Sequence, residues 1–317
     1  MWQQFLQGTP PMLMVRDKTI AVLVPCKNEA ITIKSVVEGF RRSLPGCTVY
    51  VYDNNSTDGT ADIAREAGAV VGRETRAGKG NVVRRMFSEI EADIYVMVDG
   101  DDTYDSAQAP ALVAKLLAEE ADMVVGARIG ATEKHQRKGH AFGNRMFNVL
   151  YSRLFGREFS DIFSGYRAFS RRFVKSFPAV SAGFEIETEL SVHASQLRLP
   201  VAEIPLPYKD RPEGSTSKLS TVRDGARILK TIIVLLKEYK PLPFYGAIGM
   251  AGILLAFLLA VPLFIEYSRT GLVERFPTAI LCTGITVVSM LTITAGVILD
   301  SIRRMRAEIK RMFYNFT

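Results

Sequence analysis

The stretch YVMVDGDDTYD, Tyr95 to Asp105, runs an apolar segment directly into four carboxylates. Asp99, Asp101, Asp102 and Asp105 crowd into seven residues, with Gly100 separating the first two. Neighbouring like charges repel, and a buried carboxylate is costly unless a cation sits among them. An Asp-x-Asp pair at a strand end brings hard oxygen donors to one point. That suits Mg2+ or Mn2+, with water and phosphate oxygens completing the shell. Asp105 has a second use, as the cap of the helix expected over SAQAPALVAKLL.

Three further clusters carry complementary chemistry. PCKNE offers Asn28 and Glu29, and the Glu29 carboxylate can accept from both hydroxyls of a ribose. DNNSTDGT follows directly on Asp53's strand, where that carboxylate can accept from a base N–H, and RAGKG presents Lys79 to phosphate. A base, a ribose, a diphosphate and a metal would then lie across successive segments. Each cluster alone is ambiguous: Asn28 to Ala30 can simply start a helix, and DNNSTDGT is rich in turn formers.

The elements that must position these groups alternate. IAVLVP, TVYVYD, AVVG, DIYVMVDGD and DMVVGAR read as five strands. Between them EAITIKSVVEGFRRSL, GTADIAREAG, KGNVVRRMFSEI and APALVAKLLAEE have apolar residues at helical spacing. Such alternation predicts an α/β, mostly parallel, Rossmann-like sheet, whose ligands sit beyond the carboxyl ends of the strands. All four clusters fall at or beside those ends. The alternation read from the sequence stops at about Arg128, before the basic segment EKHQRKGHAFGNR.

The chain has 317 residues, 48% of them hydrophobic, and a formal charge of +7. No charged side chain occurs from Pro241 to Ile265 or from Phe276 to Leu299. About 20 residues span a bilayer as a helix, so the two runs predict a transmembrane hairpin. Basic residues flank the outer ends: Arg223, Arg227, Lys230, Lys237 and Lys240 before the first run, and Arg303, Arg304, Arg306, Lys310 and Arg311 after the second. The connecting loop holds only Arg269 and Arg275, which places both termini and the catalytic domain in the cytoplasm. These collars suit an anionic lipid surface, and no nucleic-acid module accompanies the charge. Cys26, Cys47 and Cys282 form no CxxC pair and are expected as free thiols. The stretch MWQQFLQGTPPMLMVRDK lacks the features of a signal peptide and reads as a tail. The predicted organisation is a tail over 1–18, a catalytic domain over 19–220 and a juxtamembrane amphipathic helix over 221–243. A hairpin over 244–300 follows, with spans at about 244–266 and 277–299, and then a basic tail over 301–317.

VLVPCKNE, DNNSTDGT, GKG and DGDD together resemble the nucleotide-sugar half of glycosyltransferase family 2, the inverting enzymes of GT-A fold. SGYRAFSRRF and DRPEGSTSKL, with the hairpin, resemble the polyprenyl-phosphate glycosyltransferases within it, such as dolichyl-phosphate mannose synthase. The resemblance covers about residues 19–311. It implies that Pro25, Asn28 and Glu29 cradle the nucleotide and that Asp53 reads the base. Asp99 and Asp101 then hold metal and diphosphate, and Arg128 faces the acceptor phosphate. Arg211 and Lys218 belong to a loop closing over the reacting phosphates. Arg137, Lys138 and His140 compete for a second acceptor contact. A UDP-sugar is the favoured donor and GDP-mannose the alternative, the acceptor is a polyprenyl phosphate, and a homo-oligomer is compatible with the pattern. The chain departs from the family in having Gly100 for the commoner Ala and Thr103 where some members carry Gln.

Two rivals fare worse. DGDDT also fits the Asp-x-Asp-x-Thr motif of haloacid-dehalogenase-like phosphatases, but three strands precede it and no later Gly-Asp-x-x-x-Asp follows. A processive polysaccharide synthase would carry Gln-x-x-Arg-Trp, whereas Trp2 is the only tryptophan. Glu185, Glu187 and Glu189 in GFEIETEL either support the site or cap a helix, and His193 is expected to be structural.

Overall fold

The computed structural model describes residues 18–129, 159–179, 186–209, 233–234 and 236–316. Arg137, Lys138, His140, Arg211 and Lys218, most of the N-terminal tail and most of the juxtamembrane helix lie outside the described residues. By internal contacts the chain divides into two compact units, Met1–Asp224 with Lys310–Thr317, and Gly225–Ile309.

The first unit is built on a seven-stranded sheet. β1 (Ile20–Cys26) is apolar throughout and buried at every residue, as a strand covered on both faces must be. β2 (Thr48–Asp53), β3 (Val70–Arg73), β4 (Ile94–Met97) and β5 (Met123–Ile129) follow the predicted alternation. So do the connecting helices α1 (Ile33–Ser43), α2 (Thr60–Glu66), α3 (Lys79–Glu89) and α4 (Ala109–Ala118). α1 buries Ile33, Val36, Val37 and Phe40 in a core shared with Leu112, Val113 and Leu116 of α4. Where the alternation read from sequence stops, the sheet continues. β6 (Arg167–Ser170) and β7 (Val201–Pro207) complete the order β3-β2-β1-β4-β6-β5-β7. β6 is antiparallel to both β4 and β5, and the other pairings are parallel. Both late strands are weakly signalled. RAFS is only four residues long, and Pro205 and Pro207 in VAEIPLP suit the edge position that β7 occupies. α5 (Arg171–Ser176) and α6 (Ile186–Leu197) lie between them in sequence.

Register brings the functional ends together. Cys26 of β1 pairs with Asp53 of β2, while Leu23 pairs with Met97 of β4, so Asp53, the segment after Cys26 and Asp99 leave adjacent strands at one edge.

The second unit contains most of two long helices, α7 (Pro241–Thr270) and α8 (Phe276–Phe316). Both are long and apolar enough to cross a membrane. Only 11% and 17% of their most apolar windows are buried, whereas a soluble core helix would be mostly covered. They approach closely at Gly249, where a Cβ would come within 2.8 Å of the Ser289 carbonyl oxygen. Small residues at such points let apolar helices pack backbone to backbone. α8 does not stop at the expected span; it continues through the basic segment. Its last residues belong to the first unit, where the Tyr314 hydroxyl donates to Asp122 Oδ2 at 2.7 Å and the Arg172 guanidinium lies over the Tyr314 ring.

Candidate active site

The loops after β1 and β2 are laced together. The Asn28 N–H donates to Ser56 Oγ at 2.8 Å, and its side-chain oxygen accepts from the Thr57 N–H at 2.9 Å. The Glu29 N–H donates to Thr60 Oγ1 at 2.9 Å and the Ala30 N–H to Asp58 Oδ2 at 3.1 Å. Asn28 holds a positive φ of 51°, which asparagine tolerates better than most residues. Asp53 is 6% exposed, and its carboxylate accepts from the Ser56 N–H at 3.1 Å. These groups hold the two loops to each other. Asn54 ties in the third segment: its amide donates to the carbonyls of Glu74 and Arg76, and its oxygen accepts from the Gly78 N–H at 2.7 Å. Pro25, still inside β1, sets the level at which the first loop begins.

The acidic loop is fixed at several points. Thr32 Oγ1 donates to the Gly100 carbonyl at 2.7 Å. Thr103, at the departure from the family pattern, donates to Asp101 Oδ1 from its hydroxyl at 2.6 Å and from its N–H at 3.3 Å. A Cβ at position 100 would lie 3.2 Å from the Cys26 Cβ, so Gly100 fits the space that Cys26 leaves. Asp105 accepts from the Ala107 N–H at 3.2 Å and so caps the short helix that follows.

Lys79, expected to face phosphate, has its ammonium in ion pairs with Asp99 at 2.5 Å and with Glu187. Burial alone would depress the Lys79 pKa, but the two carboxylates outweigh it and raise it above the ordinary lysine value. Burial pushes Glu187 up, with Lys79 opposing. On its other side the Asp99 carboxylate lies against Gly165, where a Cβ would fall 2.5 Å from Oδ2. A larger residue there would require the carboxylate to shift. Gly165 is itself held by its N–H donating to the Tyr104 hydroxyl at 3.1 Å. The fully buried Arg167 pins the same segment by donating to the carbonyls of Ile162 and Ser164.

Arg128, at the end of β5, is held by Asp161: Nε donates to Oδ2 at 2.6 Å and Nη2 to Oδ1 at 2.9 Å. Its guanidinium also lies 5.4 Å from the Tyr208 ring centroid. Burial opposes ionisation of Asp161, but the Arg128 guanidinium outweighs it and keeps the carboxyl below its usual range. His193 is structural, as expected. Its ring contacts Phe173 and Phe177, and its Nε2 lies 3.2 Å from Ser176 Oγ. Burial, with some help from the Lys310 charge, lowers its pKa to about 3.

The sequence reading missed Asn54, Asp161 and Gly165 and left Glu187 open. Each acts on a partner in another segment, and no local pattern reports such contacts. The SGYRAF stretch was the available signal, and its function here is to pack Gly165 on Asp99 and supply β6.

The aspartates fit a divalent cation. Asp99 and Asp101 offer hard oxygen donors, and Thr103 orients one of the two. Among the described residues no group of three or more acidic, histidine or cysteine side chains converges on one point. A pair too small for a closed cage leaves coordination positions for phosphate and water, as Mg2+ prefers.

Comparison with known proteins agrees with this geometry. Residues 21–177 match the profile described as Glycosyl transferase family 2. Glycosyltransferase AglJ of Haloferax volcanii is 34% identical over 261 residues, spanning 80% of this chain and 84% of its own length. A Haloferax volcanii protein described as a dolichyl-phosphate hexose transferase is 29% identical over 214 residues, or 68% of this chain and 92% of that protein. Among solved structures, glucosyl-3-phosphoglycerate synthase from Mycobacterium tuberculosis superposes with a TM-score of 0.60 at 25% identity, covering 74% of this chain and 85% of that one. That enzyme has also been solved with Mn2+ and UDP. The sheet is accordingly of GT-A type, followed by two apolar helices that are candidates for a membrane hairpin, and the chain belongs to glycosyl transferase family 2.

Proposed function

We propose that the protein transfers a sugar from a nucleotide-sugar, a UDP-sugar in preference to GDP-mannose, to a polyprenyl phosphate at the membrane surface. The observation that carries this reading is the presence, on one chain, of an Asp-x-Asp site at a GT-A sheet edge and two helices of membrane-spanning length. The similarity to a dolichyl-phosphate hexose transferase supports the same acceptor class.

Asp53, Asn28 and Glu29 would receive the nucleoside, and Asp99 and Asp101 would hold Mg2+ or Mn2+ against the donor diphosphate. The metal, when bound, supplies Lewis-acid stabilisation of the leaving diphosphate. The acceptor phosphate oxygen bonds to the anomeric carbon as the bond from that carbon to the diphosphate breaks, giving inversion and a nucleoside diphosphate. A phosphate monoester has its second pKa near 6 and is largely dianionic at pH 7, so no strong protein base is required. The buried, neutral His193 is consistent with that chemistry. Arg128 supplies positive charge at the end of β5, oriented by Asp161. Arg211 and Lys218 are assigned to the closing loop, and Arg137, Lys138 or His140 to a second acceptor contact. With the basic collars, the domain and both termini face the cytoplasm.

Incubating membranes that contain the protein with labelled nucleotide sugars tests this. The expected result is a labelled, mild-acid-labile lipid whose formation requires polyprenyl phosphate and Mg2+ or Mn2+. Label appearing only in a polysaccharide or a lipid alcohol product would assign another acceptor and overturn the proposal.

A further inference from the structure

Lys79 is enclosed between two carboxylates of very different accessibility. Its side chain is 8% exposed and that of Glu187 6%, whereas Asp99 is 31% exposed. Glu187 therefore stands behind the ammonium and Asp99 in front of it, open to solvent. The pair is built across 108 positions of sequence, from the start of α3 to the first turn of α6. Placing an ammonium against a metal-binding aspartate has an electrostatic cost. It repels the divalent ion that the aspartate is there to hold, and at close range in a partly buried site that repulsion is weakly screened. Asp99, Asp101 and Glu187 carry three negative charges against the one positive charge of Lys79, leaving two. Without Glu187 only one would remain to attract a divalent cation.

We propose that Glu187 is a positioning and charge-balancing residue: it anchors Lys79 and cancels its charge, so that Lys79 can fix Asp99 without weakening the divalent-ion site. This rests on the assignment of Asp99 and Asp101 to that ion. The Glu187 carboxylate is taken up by the Lys79 ammonium, and it acts through Lys79.

Mn2+ affinity, read by electron paramagnetic resonance with and without UDP, separates this role from a packing role. The proteins compared are full-length and detergent-solubilised: wild type, Glu187→Gln, and the double variant Lys79→Met/Glu187→Gln. Glu187→Gln keeps the side-chain shape and removes one negative charge. It is expected to weaken Mn2+ binding about tenfold, the scale on which one nearby charge moves a proton equilibrium. The double variant removes one charge of each sign and restores the wild-type balance. Without UDP it is expected to bind Mn2+ within about twofold of wild type, again on the basis of net charge near the ion. Wild-type affinity in Glu187→Gln, or a double variant as weak as Glu187→Gln while retaining its circular-dichroism spectrum, would overturn the inference. Wild-type protein that binds no Mn2+ even with UDP would instead overturn the metal assignment on which it rests.

Discussion

The two halves of the site are made differently. The side assigned to the nucleotide, at the ends of β1, β2 and β3, is held by short hydrogen bonds between neighbouring loops, such as Asn28 to Ser56 and Thr57 and Asn54 to Gly78. The acidic side, with the segment assigned to the acceptor, is held by ion pairs and close packing from remote segments: Lys79 with Glu187, Arg128 with Asp161, and Asp99 against Gly165. In the first, many modest contacts share the task, so loss of one is tolerated. In the second, single charged or steric contacts decide where a carboxylate or guanidinium sits, and a misplacement of an ångström can cost about a hundredfold in rate. Substitutions on the acidic side should therefore be the more damaging.

The largest effect is expected at Asp101. Asp101→Asn should lower turnover by about a hundred- to a thousandfold, the scale of losing one electrostatic contact to a leaving group. The protein should remain folded, because Asn can still accept from Thr103. A steady-state assay with a melting curve checks both halves of that statement. Activity near wild type would remove the contrast between the two sides. Next is Gly165→Ala. The added Cβ would overlap Asp99 Oδ2 at 2.5 Å, and turnover should drop about a hundredfold by displacement of a reacting group. Ser56→Ala, which removes one acceptor from the nucleotide cradle, should cost less than tenfold, in line with a neutral hydrogen bond of about 1 kcal/mol. If the Ser56 variant proved the worse of the two, the comparison would be reversed.

The same contrast explains what could be read from the sequence. β1 to β5 and the Asp-x-Asp pair were legible because each is a contiguous pattern: an apolar run, a helical period, two carboxylates at a strand end. Thr103 and Asp105 were visible for the same reason. β6 was not, since four residues that begin with an arginine carry no usable period. Glu187 was noticed without a role, because its meaning depends on Lys79 far away in the chain. Asp161 was passed over, as a single carboxylate says nothing until Arg128 is seen beside it. The C-terminal basic segment reads as a membrane-surface collar, yet part of it has a second use. Tyr314 reaches Asp122, itself fully buried and paired with Arg172.

Smaller effects sharpen the picture on stability. Asp161→Asn leaves Arg128 without its carboxylate. It should cost about 2–3 kcal/mol of stability, less than the about 3–5 kcal/mol of a fully buried pair because Arg128 retains some solvent. Chemical denaturation in detergent measures this, and a change below 0.5 kcal/mol, the scale of a surface substitution, would show that the pair is not holding the acceptor side. The last effect concerns His193 and vanishes at neutral pH. Its folded pKa of about 3 lies below the unfolded value near 6.5, so the unfolded chain takes up a proton first as pH falls. Stability is full above about pH 6.5 and is lost toward pH 3, by up to about 1.4 kcal/mol per pH unit. His193→Leu should remove one proton from that slope, as read by melting temperature against pH, and an unchanged slope would place the titration elsewhere.

The proposed transfer depends on Asp99 and Asp101 holding the donor diphosphate through a divalent ion. Its most direct test is a structure of the protein with Mn2+ and a UDP-sugar, with the metal located by anomalous scattering. One manganese peak is expected between these two carboxylates and the diphosphate oxygens, with the base toward Asp53. Manganese and diphosphate bound away from Asp99 and Asp101 would contradict it.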